Sequence, residues 1–64
     1  MMAFATFGGE NGRPLYINPA LVTHVIELND RLCTVFLGGQ HAVNIPLPVH
    51  VVVADLEKAA EVSR

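Results

Sequence analysis

The residues able to do chemistry in this 64-residue chain are three histidines, His24, His41 and His50, and one cysteine, Cys33. Imidazole nitrogen and thiolate sulfur both bind zinc, and such sites show in a sequence as short-spaced ligand pairs. No two of these four residues stand at such a spacing, so no metal site is expected. A cysteine beside a histidine can also act as a nucleophile, provided the base lies within hydrogen-bond reach. Cys33, however, belongs to Leu32-Cys33-Thr34-Val35, a strand context in which free cysteine behaves as a small buried hydrophobe. Its neighbours do not supply the positive, partly exposed setting that activates a thiol.

The glycines of Gly8-Gly9-Glu10-Asn11-Gly12 invite comparison with a phosphate-cradling loop. Such a loop joins a strand to a helix whose N-terminus faces the anion. Here the segment lies between two strand-like runs, lacks the Lys-Ser/Thr ending and carries Glu10, which repels phosphate. It reads as a hairpin tip. The carboxylates form no pair either, since Glu27 and Asp30 flank a turn and the others fall on the helix or the hairpin tip. No catalytic residue and no cofactor is expected, and the chain reads as a non-enzyme.

These residues are set out on short elements. Ala3 to Phe7 alternates in size, with Phe4 and Thr6 on one face and Ala5 and Phe7 on the other. After the glycine-rich tip, Leu15-Tyr16-Ile17 reads as the returning strand, with Pro14 at its start where a missing N–H is tolerated. Asn18-Pro19 combines an N-cap with a proline at the first helical position, so Asn18 to Leu21 predicts one helical turn. Val22 to Leu28 is β-branched and half-alternating, a strand. Asn29-Asp30-Arg31 is a polar turn before a strand over Leu32 to Leu37.

Gly38-Gly39 then begins a tight turn into His41 to Ile45. A two-residue loop would set Val35 opposite Ala42, whereas a three-residue loop sets Val35 opposite Val43 and Cys33 opposite Ile45. The second gathers the apolar residues on one face, and a slip of one residue would turn them outward. Pro46-Leu47-Pro48 ends the sheet, and Pro48 can serve as the first residue of a helix. Val49, Val52, Val53, Leu56 and Ala59 or Ala60 follow at the spacing of an apolar stripe, with Val51 pointing away from it.

Size and composition bound what such a chain can be. A domain this short buries only about 60% of the surface its unfolded chain exposes, and small domains often add disulfides, a metal or self-association. With one cysteine an internal disulfide is excluded. The lone cysteine, and an N-terminus of Met1-Met2-Ala3-Phe4 without a basic residue, point to the reducing cytoplasm. The longest uncharged stretch, Leu32 to Ala54, contains Gly38, Gly39, two prolines and two histidines, so no membrane span is expected.

Self-association remains. Hydrophobic residues make up 52% of the chain and charged ones only 16%, against about 25% charged in an average soluble domain. So few charges leave apolar surface exposed, and such patches mark interfaces. A homo-oligomer is expected, most simply a two-fold dimer. The contact residues expected from this surplus are Phe4, Phe7, Phe36 and Val51. A net charge of −2, with only Arg13, Arg31, Lys58 and Arg64 basic and unclustered, argues against a nucleic-acid face.

The series Gly12-Arg13-Pro14-Leu15-Tyr16-Ile17-Asn18-Pro19-Ala20-Leu21-Val22, then Cys33-Thr34-Val35-Phe36-Leu37, Gly38-Gly39-Gln40, Val43-Asn44-Ile45 and a closing helix with Val52, Val53 and Leu56, resembles the small bacterial FlbD-like flagellar proteins. The resemblance covers about residues 12 to 60. It implies the same outline of hairpin, strands, glycine turn and closing helix, and no catalytic residue.

The resulting expectation is one α+β domain over residues 1–64, with a β-rich part over 2–45 and a C-terminal amphipathic helix over 48–62. The strands are expected as one small antiparallel sheet of about five, arranged as hairpin, helical turn and meander. The function expected is a self-associating interaction module that can also take a protein partner. The alternative is a regulatory protein that binds a small molecule or nucleic acid by stacking on a sheet face bearing Tyr16, His24 and Phe36.

Overall fold

The computed structural model describes residues 3–62. Met1, Met2, Ser63 and Arg64 lie outside the described residues, and with them the outermost bounds of the expected domain and one of its four basic side chains.

The fold is α+β: two antiparallel sheets, of two and three strands, and one C-terminal helix. Strands β1 (Ala5–Gly8) and β2 (Pro14–Ile17) form a hairpin. A 3-10 turn over Pro19–Leu21 leads into β3 (Val22–Asn29), β4 (Leu32–Leu37) and β5 (His41–Ile45), a meander in the order β3-β4-β5. Helix α1 (Val49–Val62) closes the chain.

The strands divide between two sheets, where a single sheet was expected. The cause is local. Asn18 caps the turn by accepting the Ala20 N–H at 3.0 Å, and the Leu21 N–H returns to the Asn18 carbonyl at 3.0 Å. This turn redirects the chain after β2, so β3 begins a new sheet instead of continuing the hairpin.

The hairpin between β4 and β5 has the three-residue loop. Cys33 stands opposite Ile45, Val35 opposite Val43 and Leu37 opposite His41. Two successive left-handed residues close it, Gly39 (φ 81°) and Gln40 (φ 68°). At the other end of β4, the Asn29 side chain accepts the Arg31 N–H at 2.8 Å, an Asx-type turn.

The core lies between the layers. Ala5, Phe7 and Ile17 of the first sheet meet Cys33, Val35 and Ile45 of the second and Val52 and Leu56 of the helix. Cys33, Val35, Ile45 and Val52 are completely buried. The helix is held by these two anchors on an apolar stripe, as its β-branched run requires, since Val51-Val52-Val53 has little helix propensity of its own. Pro48 stands one residue before α1, and its carbonyl accepts the N–H groups of Val51 at 3.1 Å and Val52 at 3.2 Å. It thus caps the helix rather than forming its first residue. Val53, expected on the stripe, is exposed at its margin, while Val51, expected clear of it, is half-buried.

Candidate functional site

Everything that the core takes from the β3-β4-β5 sheet lies on one of its faces. Along β4 the side chains alternate, Cys33 and Val35 buried and Thr34 and Phe36 less so. Register carries this division across the strands. Val25 and Val43 flank Val35 on the core side, while His24 and Ala42 flank Phe36, and Ile26 and Asn44 flank Thr34, on the outer side. No buried residue belongs to this outer face, and none of its six strand positions carries Asp, Glu, Lys or Arg. An uncharged sheet face left uncovered is the arrangement expected of a contact surface.

Irregularity in β3 shapes it. The register against β4 slips between Val22 and His24 and again between Glu27 and Asn29, making Thr23 and Leu28 the extra residues of two β-bulges. Leu28 is left 52% exposed and Ile26, on the outer face, 44%, two large exposed apolar side chains on β3.

At the centre of the outer face the rings of His24 and Phe36 stack, with centroids 4.3 Å apart and planes 10° from parallel. The Thr23 hydroxyl donates to the Phe36 carbonyl at 3.1 Å and lies 3.1 Å from His24 Nδ1. A hydroxyl has one proton to give, so with that proton on the Phe36 carbonyl, Nδ1 must be the donor to Thr23. In the neutral ring this arrangement is the Nδ1–H tautomer, with Nε2 as an acceptor. Two rungs along, on the same face, Thr34 Oγ1 donates to Asn44 Oδ1 at 2.7 Å.

The residues expected as contacts are dispersed. Phe36 lies half-buried at the centre of the outer face. Phe4 is 52% exposed, on the far side of the core, where it lines a shallow groove with Asp55, Lys58 and Val62 of the helix. Val51 is half-buried in the first turn of α1. Phe7 is only 3% exposed and is a core residue, which corrects the expectation that this core could not take it in. The division into two sheets is the reason, since a second layer gives β1 its own inward face.

The histidines and Cys33 are not brought together. His24 projects from the outer face and Cys33 from the core face of the same sheet. His41 pairs with Leu37, four rungs from Cys33, or about 13 Å of strand, and His50 is exposed on α1. Burial, reinforced by the negative charge of Glu27, raises the Cys33 thiol pKa, the reverse of what a nucleophile needs. Among the described residues no group of three or more His, Cys, Asp and Glu side chains could hold a metal ion, and no helix is long and apolar enough to cross a membrane. Tyr16, 61% exposed, belongs to the other sheet, and Arg31 sits in the turn at the end of β4 away from the stacked pair.

Ile26 and Leu28 were not among the expected contacts. Strand alternation on its own pointed to Ile26 once His24 was placed outward, but the bulge that exposes Leu28 has no signature in the residue types. Compared with known proteins, the chain matches no family model, no curated protein and no solved structure.

Proposed function

We propose that this chain is a non-enzymatic interaction module that self-associates and offers the outer face of its three-stranded sheet to a protein partner. The observation that supports this reading is the one-sidedness of that sheet. Its core face is packed, while its outer face is bare, uncharged on the strands, and centred on Phe36, with the exposed Ile26 two residues from His24 on the neighbouring strand and Leu28 exposed at the bulge further along it. The FlbD-like resemblance adds a small β-rich architecture and no functional residue.

The size of the face sets the strength expected. Three strands at about 4.8 Å and five rungs at about 3.4 Å span about 14 by 17 Å. A standard interface buries about 800 Å² on each partner. Contact through this face alone is therefore weak and concentration-dependent. Light scattering on a size-exclusion column, from micromolar to millimolar protein, tests the self-association. A mass that rises to twice the protomer or more supports it, and one protomer at every concentration overturns it.

The stacked His24–Phe36 pair favours one second reading, a platform for a ring or base. Against it stand the placement of Tyr16 on the other sheet and of Arg31 at the far turn. Titration with a short single-stranded oligonucleotide separates the two readings: shifts in the ring resonances of His24 and Phe36 would favour the platform.

A further inference from the structure

The β3-β4-β5 sheet has two outer strands, and they are built differently. β3 is interrupted by bulges at Thr23 and Leu28, devices that twist an edge and spoil it as a template. β5 has none of them. Its five residues pair with β4 without a register shift, and the sequence His41-Ala42-Val43-Asn44-Ile45 contains no proline and no Asp, Glu, Lys or Arg. Beside it lies an open groove of about 550 Å³, lined by Val43 and Asn44 on one side and Arg13, Pro14 and Leu15 on the other.

We infer that two copies of this chain join along their β5 strands, antiparallel about a two-fold axis through Val43, into one continuous six-stranded sheet. This rests on the self-association reading and names the surface and the partner. An edge strand presents outward N–H and C=O groups that another extended backbone satisfies. A two-fold centred on a residue keeps the side-chain alternation of both strands in phase, so core faces join core faces. Val43 is the centre that engages all five residues: it faces Val43 of the second copy, Ala42 faces Asn44, and His41 faces Ile45. No like charges are opposed in that register. The two outer faces then lie side by side and double the surface open to a partner.

The test uses the whole chain at a concentration where the unaltered protein is dimeric. In a residue-centred two-fold the two Val43 Cα atoms lie about 4.5–5.5 Å apart, within disulfide range. Val43→Cys is therefore expected to form a covalent dimer on mild oxidation, ahead of Ala42→Cys. Buried Cys33 stays unreacted. The double variant Ala42→Lys/Asn44→Lys sets two like-charged pairs directly opposed and is expected to raise the dimer dissociation constant tenfold or more. Mixing it with Ala42→Glu/Asn44→Glu should restore dimers, while Phe36→Lys leaves the dimer intact. A dimer that Phe36→Lys dissociates and the double Lys variant does not would overturn the β5 seam and leave self-association standing. Preferential cross-linking of Ala42→Cys would overturn the register. A protein that is monomeric at every concentration removes both.

Discussion

His24 is stacked on Phe36 at 4.3 Å because the bulge at Thr23 brings the histidine into the rung of the phenylalanine. Without that extra residue the pairing would continue from Val22 opposite Leu37 to Thr23 opposite Phe36, and the histidine would turn to the core side. The same Thr23 hydroxyl then ties the bulge to the Phe36 carbonyl. Aromatic pairs of this kind contribute about 0.5–1.5 kcal/mol beyond the area they bury. A double-mutant cycle with His24→Ala and Phe36→Ala, read by urea unfolding, should return a coupling of about that size. A coupling near zero would mean the rings merely lie side by side.

The tautomer gives a spectroscopic test of the same contact. Above the titration range of imidazole, long-range nitrogen–proton NMR correlations of His24 should show the proton on Nδ1. Thr23→Val removes the hydroxyl that receives it, and the ring should lose that preference. A proton on Nε2 in the unaltered protein would refute the assignment.

Cys33 should be inert while the protein is folded. Its side chain has no exposure, and burial first, then the Glu27 charge, raises its thiol pKa. A thiol reagent at pH 8 should label it only as fast as the chain opens. The sign of the stability effect follows from linkage. The folded state holds the thiol proton more tightly than the unfolded chain, so the contribution is intact below the unfolded value of about 8.5 and is lost as pH rises through the higher folded value. Urea midpoints at pH 7 and pH 10 should fall in that direction, and Cys33→Ala should reduce the fall.

Gln40 holds a left-handed backbone (φ 68°) with a side chain in place. That conformation costs an ordinary residue about 1–2 kcal/mol, while glycine adopts it freely and loses about 0.5–1 kcal/mol through its looser unfolded chain. Gln40→Gly should therefore stabilise the domain by up to about 1 kcal/mol. Gly39→Ala, at φ 81°, should destabilise it by about as much.

Ile45 is completely buried opposite Cys33. Ile45→Val should cost about 0.5–1.5 kcal/mol and Ile45→Ala about 2–5 kcal/mol. A domain of this length has little reserve, so the alanine variant should be largely unfolded at 37 °C by circular dichroism, with the valine variant still folded.

Much of the fold could be read from the residues in order. The cap at Asn18-Pro19, the polar turn at Asn29 to Arg31, the three-residue loop at Gly38 to Gln40 and the valine-leucine stripe of α1 are local patterns, and local backbone preference decides them. The register of the last hairpin was legible because only one choice collects Cys33, Val35, Val43 and Ile45 on a single face. The candidate surface was only partly legible. Phe36 and His24 were candidates from residue type, but their stacking depends on a bulge that any strand-like residue could form.

The sequence alone determined the identity and order of the elements, because turn chemistry and side-chain periodicity act over a few residues. Tertiary structure decided that five strands make two sheets, that Phe7 enters the core while Phe4 does not, and that Phe36 faces away from the helix. Those outcomes depend on which face of each strand the helix and hairpin cover. That is settled by packing between residues far apart in the chain, where burial of the whole apolar set outweighs what any one segment prefers.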